Sequence, residues 1–169
     1  MNWYVVHCLT GKEEDVKGRV QDAGVKAVVP RRILKERRGG MWRDVERTVF
    51  PGYVFVRSLM TIADYYAVRH VPGVIRILGN SRPEALAEEE ITLILKLSMD
   101  GDPLGLSEVF VEGGKVAVVS GPLKGLEGRI IKLDARRFRA RVNITMMGEP
   151  RIVELAVKEI QKTSRTCRV

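Results

Sequence analysis

The chain has 169 residues, 45% of them apolar, which suffices for one medium domain or two small ones with a buried core. Its formal charge of +8 and pI near 9.8 point to an anionic partner, most simply nucleic acid. No apolar run approaches the roughly 18 residues that span a bilayer, and strand-like residues begin at Trp3, so neither a membrane span nor a signal peptide is expected and a cytoplasmic location is.

Trp3 to Cys8 reads as a strand, with Cys8 in an apolar pattern and expected to be buried. Thr10-Gly-Lys-Glu13 has capping-box spacing and opens a helix whose one face carries Val16, Val20 and Ala23, with Gly24 as its stop. Val25 to Arg32 and Thr48 to Arg57 read as strands separated by a charged excursion. That excursion contains the basic stretch Arg31-Arg-Ile-Leu-Lys-Glu-Arg-Arg38 with Arg43 and Arg47, which reads either as a solvated hairpin or as a further contact for nucleic acid. Thr61 with Asp64 caps a second helix through Arg69. Val74 to Leu78 is strand-like. Glu88-Glu-Glu90 places negative charge at the positive end of a third helix reaching about Leu97, with Ile91, Ile94, Leu95 and Leu97 as its apolar stripe. Short connections favour an α/β sandwich with an antiparallel sheet.

Residues 98–108 contain two glycines, a proline and two aspartates within Ser98 to Ser107, and read as a linker between a first domain at 1–97 and a second at 109–169. The charge divides unequally across it. Residues 1–108 carry 16 Lys+Arg against 15 Asp+Glu, whereas residues 109–169 carry 13 against 6. Strand patterns follow at Val109–Val111, Lys115–Val119, Glu127–Leu133, Arg137–Asn143 and Arg151–Leu155. Val153 to Gln161 is open between a strand and a helical turn. Five short strands favour a small barrel, because closure removes exposed edges. In Val116-Ala-Val-Val-Ser-Gly-Pro-Leu-Lys-Gly-Leu-Glu-Gly-Arg-Ile-Ile131, Gly121-Pro122 and Gly125 mark a turn between two strands. Gly128 would mark a bulge or a close backbone approach.

That last phrase resembles the KOW motif, a strand-loop-strand element of SH3-like barrels. Three earlier segments, Trp3 to Glu13, Phe50-Pro-Gly-Tyr-Val-Phe-Val56 and Val68-Arg-His-Val-Pro-Gly-Val-Ile75, resemble the NGN domain. Together they resemble the NusG family of transcription elongation factors over essentially the full chain. The resemblance implies an α+β architecture, an NGN sandwich followed by a KOW barrel. It implies that the NGN domain sits on RNA polymerase, where an apolar cavity receives the β′ clamp helices, and that a loop near Met60–Asp64 faces the β lobe. Carried over by motif, Trp3, Tyr53, Phe55, Val74 and Ile77 line or support that cavity. Tyr53 and Phe55 share one face of a strand, which suits either a docking anchor or core filling.

The KOW half of general family members typically recruits the termination factor Rho or a ribosomal protein, roles that need no large positive charge. Here Lys115, Lys124, Arg129 and Lys132 lie on or beside the KOW phrase, and Arg136, Arg137, Arg139 and Arg141 follow. Arg137, Arg139 and Arg141 are spaced by two and would share one face of a regular strand, either solvated or on RNA. The pattern is similar to specialised paralogues of the LoaP or RfaH type, LoaP most of all, whose partner is a structured leader RNA. A general factor and a ribosome-associated KOW protein are the alternatives. The two histidines, His7 and His70, have no nucleophile or carboxylate constellation in view. The two cysteines, Cys8 and Cys167, have no metal spacing. Catalysis, a metal and a cofactor are not expected, and a monomer is.

Overall fold

The computed structural model describes residues 1–98 and 102–161; Cys167 and positions 99–101 of the expected linker lie outside the described residues. Strand β1 (Asn2–Cys8) is central in a four-stranded antiparallel sheet of order β2-β5-β1-β6, with β2 at Lys26–Val28, β5 at Tyr53–Ser58 and β6 at Val74–Ile77. Its two faces bury different partners. Tyr4, Val6, Cys8, Val54 and Val56 pack with Val16 and Val20 of helix α1 (Glu13–Asp22) and Val68 of α2 (Ile62–Arg69). Val5, Phe55 and the flanking Trp3 and Tyr53 face the other way, toward helix α3 (Glu88–Lys96) and the C-terminal half.

The cap at Thr61 forms as expected, its hydroxyl accepting from the Asp64 N–H at 3.2 Å. The one at Thr10 does not. Lys12 is the N-cap, and Glu13 instead turns back to accept from the Gly11 N–H at 3.0 Å and the Gly52 N–H at 2.7 Å. A buried carboxylate thus ties the start of α1 to the turn before β5, since bonds to charged acceptors are the stronger kind. Ala23 ends α1 and is exposed rather than on its buried face, while Gly24 stops the helix at φ +87°. Burial, with the Glu13 charge second, pushes the Cys8 thiol up to about 11, which leaves it an inert core side chain.

The charged excursion is a hairpin, a regular one of β3 (Arg31–Arg38) and β4 (Met41–Thr48), turned at Gly39-Gly40 with φ of +59° and +79°. Pro30 and Phe50-Pro51 end the flanking strands earlier than apolar patterning alone predicts, because proline cannot donate to a ladder. Alternating charges hold the hairpin: Arg31 on Glu46, Lys35 on Asp44 at 3.1 Å, and Arg47 on Glu36 at 3.0 Å.

The C-terminal half is a curled five-stranded sheet, order β8-β7-β11-β10-β9. Its strands are β7 (Ser107–Glu112), β8 (Lys115–Ser120), β9 (Ile130–Asp134), β10 (Arg139–Met146) and β11 (Glu149–Glu159). The ladder is antiparallel except where β11 meets β7 in parallel, and it settles 153–159 as strand. The two strands of the KOW phrase are not paired with each other: β8 bonds β7 and β9 bonds β10. The connection from Gly121 buries Leu123 and Leu126 and ends in a 3₁₀ turn at Glu127–Arg129. A Cβ on Gly121, whose φ is +99°, would stand 2.5 Å from the Ser107 Cα, so only glycine fits this turn. Gly128 sits in the 3₁₀ turn with open space around it, not in a strand bulge.

Segment 102–106 is not a free tether. Leu104 is buried and bonds β3 from both sides, donating to the Arg31 carbonyl and accepting from the Ile33 N–H, each at 2.8 Å. One apolar core then runs through both halves, joining Val5, Phe55 and Leu97 to Val142, Ile144 and Met146. No helix among the described residues is long and apolar enough to cross a membrane.

Candidate functional site

Two surfaces carry the side chains singled out by the sequence. The first is the sheet face of Trp3, Tyr53 and Phe55. Phe55 is fully buried, with the Phe50 ring edge-on at 5.5 Å. Tyr53 stacks on His7 at 5.2 Å, and the Arg151 guanidinium of β11 lies 5.3 Å from its ring centroid. Trp3 is partly buried under Lys26, whose ammonium is 5.8 Å from the indole. Val74 and Ile77 do not join them. β6 pairs Val74 with Cys8 and Ile77 with Val6, across a register shift at His7/Cys8, and both side chains pack in the α1–α2 core on the opposite face. Trp3, Tyr53 and Phe55 thus lie on one face of the sheet, and Val74 and Ile77 stand behind it.

The C-terminal half covers that sheet face. Besides Arg151 over Tyr53, the Gly148 N–H donates to Glu90 of α3 at 3.1 Å and Lys96 donates to the Lys124 carbonyl at 3.1 Å. These polar ties rim the shared apolar core.

The second surface is basic and lies where the β3–β4 hairpin meets the C-terminal sheet. A groove of about 630 Å³ is lined from the hairpin by Glu36, Arg37 and Trp42, and from β9 to β11 by Lys132, Asp134, Arg137, Arg139, Arg141 and Glu154. Four of the eight expected nucleic-acid residues, Lys132, Arg137, Arg139 and Arg141, meet here. Lys115, Lys124, Arg129 and Arg136 are exposed elsewhere on the C-terminal half.

The expected arginine face is only partly realised. Arg139 and Arg141 do share a strand face and both reach Glu154, at 2.6 and 3.6 Å. Arg137 does not continue it. It belongs to a 3₁₀ turn (Ala135–Arg137) capped by Asp134, and Phe138 follows in a left-handed conformation with φ +57°, which breaks the two-residue period. Arg37 comes from the basic stretch singled out in the sequence, whereas nothing there marked Trp42 or Phe138. The signal available for Trp42 was its place beside arginines, Arg37-Arg-Gly-Gly-Met-Trp-Arg43, around a Gly-Gly turn. Arg32 from the same basic stretch has another task. It is half-buried and donates to the Val49 carbonyl at 3.1 Å; burial, partly offset by Glu154, pushes its guanidinium down to about 10.

Glu36 lies on the hairpin wall of the groove. Hydrogen bonds from Arg47, with Arg38 adding to them, hold its carboxyl down at about 2. A carboxyl depressed by folding stabilises the fold above its ordinary value near 4, and that contribution is lost as pH falls toward 2. The urea midpoint is therefore expected to fall between about pH 5 and about pH 3, and Glu36→Gln is expected to flatten that part of the curve.

Comparison with known proteins agrees with this architecture. The family model described as "NusG: Transcription termination factor nusG" matches residues 1–95. The "Transcription termination/antitermination protein NusG" of Bacillus subtilis is 34% identical over 175 residues, covering 95% of this chain and 98% of that protein. Its Escherichia coli counterpart is 31% identical over 172 residues, covering 95% of each. Among solved structures, "Domain interaction in Thermotoga maritima NusG" has a TM-score of 0.56 at 33% identity, covering 92% of this chain and 93% of that one. A model match across more than half of the chain, with relatives above 30% identity aligned nearly end to end, shows that this chain belongs to the NusG family of transcription termination/antitermination factors.

Proposed function

We propose that the chain binds RNA polymerase through the sheet face of Trp3, Tyr53 and Phe55 in residues 1–97, and nascent leader RNA through the basic half at 109–169, as a LoaP-like antiterminator. The observation that carries the RNA half is regional charge: 13 Lys+Arg against 6 Asp+Glu in residues 109–169, beside near-balance in the rest. Holding polymerase and transcript at once raises the effective concentration of each for the other, so a modest RNA affinity suffices on the complex. The bridge would keep the polymerase in its elongating state and suppress pausing or termination.

A second reading, a general factor whose C-terminal half recruits a protein such as Rho or a ribosomal protein, draws on the exposed Val119, Ile131 and Ile152 of the curled sheet. Titration with a structured leader RNA at two salt concentrations separates them. Engagement of about four single-strand phosphates predicts a log–log salt slope near −3. Affinity no greater than that of a charge-matched unrelated protein would remove the RNA half and leave the protein-recruiting reading.

A further inference from the structure

We propose that the groove between the β3–β4 hairpin and the C-terminal sheet seats an unpaired stretch of RNA, with Trp42 as the stacking platform and Arg37 and Lys132 as phosphate contacts. This rests on the RNA reading above and sharpens it, because the seat is built from both halves of the chain rather than from the C-terminal half alone.

Trp42 is 40% exposed although it is held on one side: its ring meets Phe138 at 5.2 Å and 87°. An aromatic held on one side and partly open to a basic groove is the arrangement on which unpaired bases stack. Phe138 reaches that position only through a left-handed backbone, which a bulky side chain rarely adopts, and such strain concentrates at ligand sites. The Lys35 ammonium, 5.8 Å from the Phe138 ring, braces it from the hairpin side.

The carboxylates of the groove are already committed. Glu36 holds Arg47 and Arg38, Asp134 holds Arg137 at 3.8 Å, and Glu154 holds Arg139 and Arg141. Each acid thereby orients cations rather than repelling a strand outright. Arg37 and Lys132 have no carboxylate within 4.0 Å among the described residues and are the cations left to a phosphate. Lys132 lies opposite Arg141 in the β9–β10 register, which places two positive charges side by side on this wall. The volume falls within the range of about 300–1,000 Å³ typical of built ligand sites. A duplex keeps its bases stacked on one another and offers none to Trp42, so an unpaired strand fits and a helix does not. An acidic peptide would meet the cations but leave the ring unused.

The test titrates the full chain with a labelled 12-nucleotide adenylate RNA. Trp42→Ala is expected to weaken binding about tenfold, and Trp42→Phe, which keeps a stacking face and the Phe138 contact, to retain most of it. Lys132→Ala is expected to make the log–log salt slope shallower by about 0.7. Unaltered binding in both Trp42→Ala and Lys132→Ala, while the parent chain binds, would overturn the composite seat and leave RNA contact to Lys115, Lys124 or Arg129. No binding by the parent chain to any RNA would overturn the seat and the RNA reading together. A DNA oligomer of the same sequence is the second arm: equal or weaker binding supports RNA, and tighter binding overturns that choice. Competition by poly-glutamate as effective as that by RNA would also overturn it, in favour of an acidic protein. Should Trp42→Ala lose its fold, Trp42→Phe and Lys132→Ala still decide the matter.

Discussion

Phe55→Ala is expected to destabilise the chain by about 3–5 kcal/mol, measured as a lower urea midpoint with little change in slope. The side chain is fully buried in the core that both halves share, where it touches the edge-on Phe50 ring. Truncating it removes the transfer free energy of an aromatic and leaves a cavity that close-packed neighbours refill only in part. Tyr53→Ala should cost clearly less, because Tyr53 is half-exposed and its contacts are His7 and the Arg151 guanidinium at the rim. The difference matters for any binding experiment. Loss of polymerase binding in Phe55→Ala would report loss of the fold, whereas the same loss in Tyr53→Ala, with an intact melting curve, would report the surface itself.

Strand parity put Tyr53 and Phe55 on one face correctly, since alternation is a local rule of the pleat. What covers that face is not local: residues of β10, almost ninety positions away, fill it. The same limit explains Val74 and Ile77. Their side of the sheet depends on a register shift at His7/Cys8, and no residue pattern in β6 encodes it. Caps were legible where the side chain had one partner, as at Thr61. They were misread at Glu13, whose carboxylate prefers a Gly52 N–H that only the folded sheet brings near. The hairpin at 31–48 carried its turn signal in Gly39-Gly40, but its strands are charged on both faces, and period-two hydrophobicity is absent from Arg31-Arg-Ile-Leu-Lys-Glu-Arg-Arg38. The groove was half legible. Arg139 and Arg141 followed from spacing, Arg137 reaches the groove from a 3₁₀ turn rather than along the strand face, and Trp42 comes from a hairpin in which only the charges stood out.

Arg151→Glu is expected to open the chain. Arg151 reaches across from β11 to the Tyr53 ring, and the turn beside it is tied to Glu90 through the Gly148 N–H. A partly desolvated guanidinium over an aromatic ring contributes about 2 kcal/mol, equivalent to roughly thirtyfold in the ratio of closed to open forms. A glutamate there loses this attraction, meets the negative face of the ring, and adds repulsion from Glu149, its present partner at 3.6 Å. Under the proposed function the sheet face is also the polymerase-binding face, so the closed form does not compete for that partner. Apparent affinity is the intrinsic affinity scaled by the open fraction. While the closed form dominates, a roughly thirtyfold shift in that ratio should appear as tighter polymerase binding of about the same factor, together with a larger radius of gyration in solution scattering. Affinity for the 12-nucleotide RNA should move the other way, because the groove containing Trp42 and Lys132 exists only where the two halves meet. An expanded Arg151→Glu chain whose polymerase affinity is unchanged would show that this sheet face is not the polymerase-binding surface.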